Sequence, residues 1–304
     1  MKFSSARIVS TATVVLVSGL LIFLSVVFVV LRVTVGHSAG NQERRQLMRN
    51  YVQRVHKGQA VSIQTADGVS LAGILIKRPD ARGTVILCHG YRHSKELMAR
   101  YLGMFTQYNV LLFDFRAFGQ SGGFYSSIGY YESNDVKAAI AFVRQEIPAG
   151  QLRPLVVLGV SMGAAAALKA AAETAVGIDG LILDSPYATL SEILDEAANK
   201  FIAIPKSVLN GVAWGLQRIL GPICEMSPEK YISRVTVPVF FIHSCSDSTT
   251  NASHSMRLFK RMSEGRRAWT WLWLTPPAKH ACSFISYPRW YAKRVHCFLE
   301  NLCG

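Results

Sequence analysis

VVLGVSMGAAAALKAAA, running from Val156 to Ala172, joins two patterns with no linker between them. Val156 to Val160 is a continuous apolar run, as in a strand whose sheet is covered on both faces. An alanine-rich run begins at Met162, and alanine is the strongest helix former. Between them stands one hydroxyl, Ser161, with Gly159 and Gly163 two positions away on either side. A strand that turns straight into a helix brings two backbones close, so the flanking positions must be small. The apex residue is forced into a strained, exposed turn, and the helix behind it offers a positive end and the unpaired N–H of Met162. Gly159-Val160-Ser161-Met162-Gly163 therefore fits the G-x-S-x-G elbow, with Ser161 as nucleophile. A serine N-cap after a tight turn is the plainer reading of the same residues.

The rest of the chain from Val61 repeats the strand–helix alternation. AVSIQTADGVSLAGILIKR reads as a hairpin turning at Asp67-Gly68. GTVILCHG is a buried strand, with a helix expected near Ser94–Gln107. NVLLFDF is the next strand, followed by a helix near Glu132–Glu146. GLILDSP, VPVFFIHS and AWTWLWLTP supply further strands, and a last helix is expected around Pro288–Leu302. Apolar runs separated by helices imply an α/β fold with a mostly parallel sheet covered by helices on both faces. Ligands in such sheets bind beyond the carboxyl ends of the strands. His89-Gly90-Tyr91, Asp114, Ser161, Asp184, Asp247 and His280 all fall there.

Composition bounds the reading. Of 304 residues 50% are hydrophobic, enough for a large core. The six cysteines show neither C-x-x-C pairs nor metal-ligand spacing, and read as buried thiols. No metal or other cofactor is expected. A net charge of +14 implies an anionic partner. No zinc-finger or arginine–aromatic pattern points to nucleic acid, which leaves a lipid surface.

Ile8 to Leu31 is a run of 24 residues without a charge, bracketed by Arg7 and Arg32. About 20 apolar residues cross a bilayer, whereas the apolar part of a cleaved signal is about 7–15 residues long. The expectation is a retained single-pass anchor over residues 1–36. Arg32, Arg44, Arg45 and Arg49 follow it, which leans towards a cytoplasmic side for the domain beyond. Residues 37–60 form a basic linker; a helix near lipid headgroups and a solvated connecting helix both fit it. Residues 61–304 are the expected catalytic domain.

A serine hydroxyl needs a base to take its proton, and the base needs an orienting carboxylate. Among the histidines after Ser161, His243 ends a strand, while His254 and His296 sit in helical patterns. His280, in TPPAKHACSF after the last strand, is the candidate base. Asp247 in HSCSDSTTN follows the penultimate strand, and Asp184 in LILDSP is its rival as the acid. For a developing oxyanion the donors are the N–H of Met162 and, from the loop after VILC, the N–H of Tyr91. His89 is expected to brace that loop.

Taken together, TVILCHGYRHSKE, LLFDFRAFGQSGG, LGVSMGAAAAL, LILDSP, IHSCSD and KHACSF resemble a membrane-anchored α/β-hydrolase of the lysophospholipase-like and esterase-like group. The resemblance covers Val61 to the C-terminus. It implies Ser161, Asp247 and His280 as the triad, with Tyr91 and Met162 forming the oxyanion hole. Asp114, Arg116, Gly119 and Ser121 would fix the loop beside the site. The substrate implied is an acyl ester or thioester, lipids included. Ala117, Ser244 and Pro276-Pro277-Ala278-Lys279 depart from the glycines found in relatives. Residues 187–235 are longer than an ordinary connection and read as a helical cap, with a crossover helix as the simpler alternative. A catalytically silent, membrane-tethered binding module and a serine peptidase are the rival functions.

Overall fold

The computed structural model describes residues 42–173, 177–199, 225–265 and 268–302. The strands are β1 (Gln59–Gln64), β2 (Ser70–Ile76), β3 (Thr84–Cys88), β4 (Asn109–Phe113), β5 (Leu155–Val160), β6 (Gly180–Asp184), β7 (Val239–Ser244) and β8 (Thr270–Thr275). The longer helices are α1 (Gln42–His56), α2 (Glu132–Glu146), α3 (Met162–Glu173), α4 (Leu190–Asn199), α5 (Ser253–Gly265) and α6 (Pro288–Asn301).

One sheet takes the strands in the order β1-β2-β4-β3-β5-β6-β7-β8. β1 and β2 form the antiparallel hairpin expected around Asp67-Gly68, and Gly68 supplies the positive φ of +83° that the turn needs. β2 is antiparallel to β4, and every later pairing is parallel. β3 to β7 are buried at every residue. Period-2 alternation then sends both sets of side chains into apolar surroundings. Val157 packs on one face with Ala139 and Val143 of α2 and Leu168 of α3. Val156 and Leu158 pack on the other with Tyr291, Val295 and Phe298 of α6. Each such buried side chain contributes about 1.5–3 kcal/mol, which is why these runs show no alternating polar face, and their polar residues Thr84, Asn109, Asp184, His243 and Ser244 stand at or next to strand ends.

Four sequence expectations need correction or placing. The helix after β3 is a short α turn, Lys95–Met98, that tightens into a 3₁₀ segment, Ala99–Met104. Gly103 is a poor helix former, and Phe105 closes the end with an N–H bond to Leu102 O at 3.0 Å. The cysteines are not uniformly buried. Cys88 is internal, but Cys245 and Cys297 are exposed, because one lies in the loop after β7 and the other on the outer face of α6. The expected anchor at Ile8–Leu31 and most of the expected cap, residues 200–224, lie outside the described residues. No helix among the described residues is long and apolar enough to cross a membrane.

The basic stretch before β1 is helical and docked. Val52 of α1 is buried, and Arg49 donates twice to the buried Glu96, at 3.1 and 2.9 Å. β1 begins at Gln59, one residue before the hairpin stretch read from Ala60.

Candidate active site

Ser161 sits between β5 and α3 with φ +54°, a conformation strained for a residue with a Cβ. The geometry accounts for both flanking glycines. A Cβ on Gly159 would lie 2.5 Å from Gly163 O, and one on Gly163 would lie 2.5 Å from both Cys88 O and His89 O. The elbow is held by the Ser161 N–H, which donates to Asp184 O at 2.8 Å. Ser161 O in turn accepts the N–H groups of Ala164 and Ala165 at 2.9 and 3.1 Å, starting α3.

His280, on the loop after β8, reaches the serine. Its Nε2 is 2.9 Å from Ser161 Oγ and its Nδ1 is 2.6 Å from Asp247 Oδ2. With the proton on Nδ1, His280 donates to the carboxylate and leaves Nε2 to accept the serine hydroxyl. Asp247 Oδ1 accepts the N–H groups of Thr249 and Thr250 at 2.8 and 3.0 Å. Burial would raise the Asp247 pKa. Hydrogen bonds from His243 and His280 outweigh it and hold the carboxyl far below the usual carboxylate range. Three residues from three separate loops thus converge at the carboxyl ends of β5, β7 and β8.

Asp184, the rival acid, faces elsewhere. It is fully buried, accepting Ser185 Oγ–H at 2.9 Å and Tyr291 O–H at 3.0 Å. Burial pushes its pKa up. Its partners lie on β6's own turn and on α6, so it ties a helix to the sheet.

The loop bearing Tyr91 lies against the elbow. A Cβ on Gly90 would be 3.5 Å from both Ser161 Cβ and Val160 O. His89 is buried, donating Nδ1–H to Gly90 O at 2.7 Å and accepting Phe115 N–H on Nε2 at 3.0 Å. Burial lowers its pKa, which favours the neutral imidazole that both bonds require. The next loop is pinned by Asp114, which accepts Lys95 N–H, Lys95 Nζ and Gln120 N–H at 2.7, 2.6 and 2.9 Å. Gly119 is needed there, since a Cβ would fall 2.1 Å from Asp114 Oδ2. Ser121 Oγ donates to Asp114 O at 2.6 Å, and Arg116 bridges Asp135 and Asp67 at 2.6 and 2.7 Å.

A comparison of this chain with known proteins finds the family profile described as "Serine aminopeptidase, S33" over residues 79–222. The uncharacterized protein YqkD of Bacillus subtilis is 31% identical over 249 residues, which is 80% of this chain and 79% of that protein. The chain belongs to the α/β-hydrolase family. The uncharacterized protein YfhR of Escherichia coli K12 is 28% identical to this hydrolase over 235 residues, 74% of each chain. Among solved structures, the esterase Pf2001 of Pyrococcus furiosus superposes on it with a TM-score of 0.69 at 26% identity. That match covers 90% of this chain and 100% of the esterase.

Residues not singled out as functional from sequence also shape the hydrolase's site. His243, near the end of β7, sits behind the acid: Nε2 is 2.8 Å from Thr250 O and 3.4 Å from Asp247 Oδ2, and Nδ1 is 2.7 Å from Ser255 Oγ. Ser244, one of the departures from glycine, has its own use. Its Oγ donates to Ala278 O and accepts Ala278 N–H, both at 2.8 Å, clamping the His280 loop to the Asp247 loop. The second departure is therefore matched to the third. The other two histidines after Ser161 are engaged elsewhere. His254 Nδ1 accepts Ala188 N–H at 3.1 Å, and His296 Nε2 is 2.6 Å from Met104 O.

Proposed function

We propose that this hydrolase is a membrane-anchored serine enzyme that cleaves acyl esters or thioesters, with lipid-like molecules as the substrate class. The reading is carried by one observation, the hydrogen-bonded line Ser161 Oγ–His280 Nε2 at 2.9 Å and His280 Nδ1–Asp247 Oδ2 at 2.6 Å. Ser161 Oγ attacks the acyl carbon as His280 Nε2 takes its proton. Asp247 holds the imidazole in the tautomer that can accept and stabilises the imidazolium. The carbonyl oxygen gains negative charge, which the N–H groups of Tyr91 and Met162 receive. Collapse expels the alcohol or thiol, protonated by His280, and leaves an acyl-serine. Water, deprotonated by the same imidazole, releases the acid and restores Ser161.

The ester class is supported by the likeness to the Pf2001 esterase. A second reading, hydrolysis of an amide as a serine peptidase, is favoured by the description of the matching family profile. The membrane anchor is supported by the uncharged length of residues 8–31. A panel of acyl esters, thioesters and aminoacyl amides on the full chain separates these readings. Ester or thioester turnover above amide turnover is expected, lost together with phosphonate labelling in Ser161→Ala. Amide turnover dominating the panel would transfer the assignment to the peptidase. Labelling without any turnover would leave a binding module.

A further inference from the structure

α1 shows where the chain enters the domain. Gln42, Arg45, Gln46 and Arg49 of its first half line a small cavity with Glu96, Gly119 and Gln120, which lie in the loops after β3 and β4. At its other end His56 Nδ1 lies 3.1 Å from Arg78 Nη2, just past the end of β2. β2 runs against β4, so Arg78 marks the amino ends of the parallel strands and Glu96 their carboxyl ends. The chain therefore arrives at the carboxyl-end rim, the same end at which Ser161 lies. Only ten residues, 32–41, separate α1 from the uncharged run 8–31. Fully extended they reach at most about 35 Å, so an anchor in that run tethers the domain by its rim.

The rim has the chemistry of a lipid-facing surface. Leu97 after β3, Phe124 and Tyr125 after β4 and Ile285 after β8 are 37, 93, 47 and 59% exposed. Phe124 stands on a fixed base, since Gly122 N–H donates to Ser70 O and Ala117 N–H to Gly122 O, at 2.8 and 2.7 Å. Arg92 and Lys279 are exposed in the same loops. The only carboxylates in these three loops, Glu96 and Asp114, are buried. Apolar and aromatic side chains interleaved with cations, with the exposed Asp67 of the neighbouring β1–β2 turn paired to Arg116 at 2.7 Å, suit the anionic face of a bilayer.

We propose that the rim formed by the loops after β3, β4 and β8 docks on an anionic phospholipid bilayer, so that acyl substrates reach Ser161 from the lipid phase. This rests on the reading of residues 8–31 as an anchor and of the site as an acyl hydrolase. The two signals act together: the anchor sets the distance, and the rim sets the orientation.

The test uses the full chain reconstituted in phosphatidylcholine vesicles containing phosphatidylserine. A photoreactive benzophenone side chain replaces Phe124 in one protein and Lys77, at the opposite end of the sheet, in another. Illumination is expected to give lipid adducts at position 124 and none at position 77. Adducts instead to residues 200–224 or to a second copy of the chain, or no adduct in protein that resists carbonate extraction, overturn the docking while leaving the anchor standing. Release by carbonate removes the anchor on which the proposal rests. In a second measurement, Phe124→Glu combined with Ile285→Glu should lower turnover of a vesicle-embedded long-chain ester about tenfold, the scale of losing one buried apolar side chain. Turnover of a water-soluble acetate ester should change less than about twofold. Equal losses on both substrates overturn the proposal.

Discussion

The Tyr291 hydroxyl donates to Asp184 Oδ2 at 3.0 Å, joining α6 to the end of β6 directly beneath the Ser161 elbow. A carboxylate committed to that bond and to Ser185 braces the fold. Asp184→Asn should therefore cost about 1–3 kcal/mol in urea unfolding, as a buried partner is left poorly matched, with turnover lowered less than about tenfold. Asp247→Asn should also lose stability, since the fold holds that carboxyl ionised, but its distinguishing effect is a fall in kcat by orders of magnitude, roughly 10⁴ in one well-studied triad. If Asp184→Asn proves the more damaging to turnover in a folded protein, the acid is misassigned.

Ser244 tests whether the loop clamp matters. Ser244→Gly installs the glycine that the family resemblance leads one to expect, yet here it deletes both bonds to Ala278. A misplaced base is costly to kcat, up to about 10²-fold per ångström. The expected result is a fall of about tenfold or more in kcat with KM nearly constant, recovered in part by Ser244→Thr. An unchanged kcat in Ser244→Gly would mean the His280 loop holds its pose without the clamp.

Ala117 has φ +62° and is largely buried. The left-handed conformation costs a residue with a Cβ about 1–2 kcal/mol, and glycine removes that cost while adding about 0.4–1 kcal/mol of unfolded-state freedom. Ala117→Gly should thus raise stability by up to about 1 kcal/mol in chemical denaturation, with activity kept. A clear loss of stability would show that the packing of the methyl group outweighs the strain.

Asp67 gives a pH signature. Its hydrogen bonds from Arg116 lower its pKa from 3.8 to about 2. The group is held ionised in the fold, so its contribution is fully present above the unfolded value near 3.8 and is lost as pH falls through about 2. Asp67 is exposed, and solvent screening keeps the contribution within about 1 kcal/mol. Asp67→Asn should be slightly less stable than wild type at pH 6, with the gap closing between pH 4 and pH 2 and shrinking in high salt. A gap that persists unchanged at pH 2 would assign the loss to something other than the charge.

Much of this protein is written locally. Apolar runs such as Val156–Val160 specify strands covered on both faces, because each alternate side chain must find its own apolar layer. Asp67-Gly68 specifies the hairpin turn because glycine accepts a positive φ. Gly159 and Gly163 specify the elbow because any Cβ there would strike backbone. These requirements act over a few residues, so the succession of strands, the elbow serine and the candidate base on the last strand's loop are legible along the chain itself.

Other features depend on groups that meet only once the sheet is assembled. Asp184 ends β6 while Asp247 lies three residues past β7, and the chain alone puts Asp247 forward as the acid with Asp184 as its rival. The choice falls to which one faces His280 and which faces Tyr291 from α6. The pairing of Ser244 with Ala278, the buried Lys95–Asp114 pair and the entry of α1 at the carboxyl-end rim likewise join residues from separate elements. Sequence periodicity reports how each element sits on the core. It carries no record of which loop ends are brought within hydrogen-bond distance, because that is set by strand order and by the packing of helices across the whole sheet.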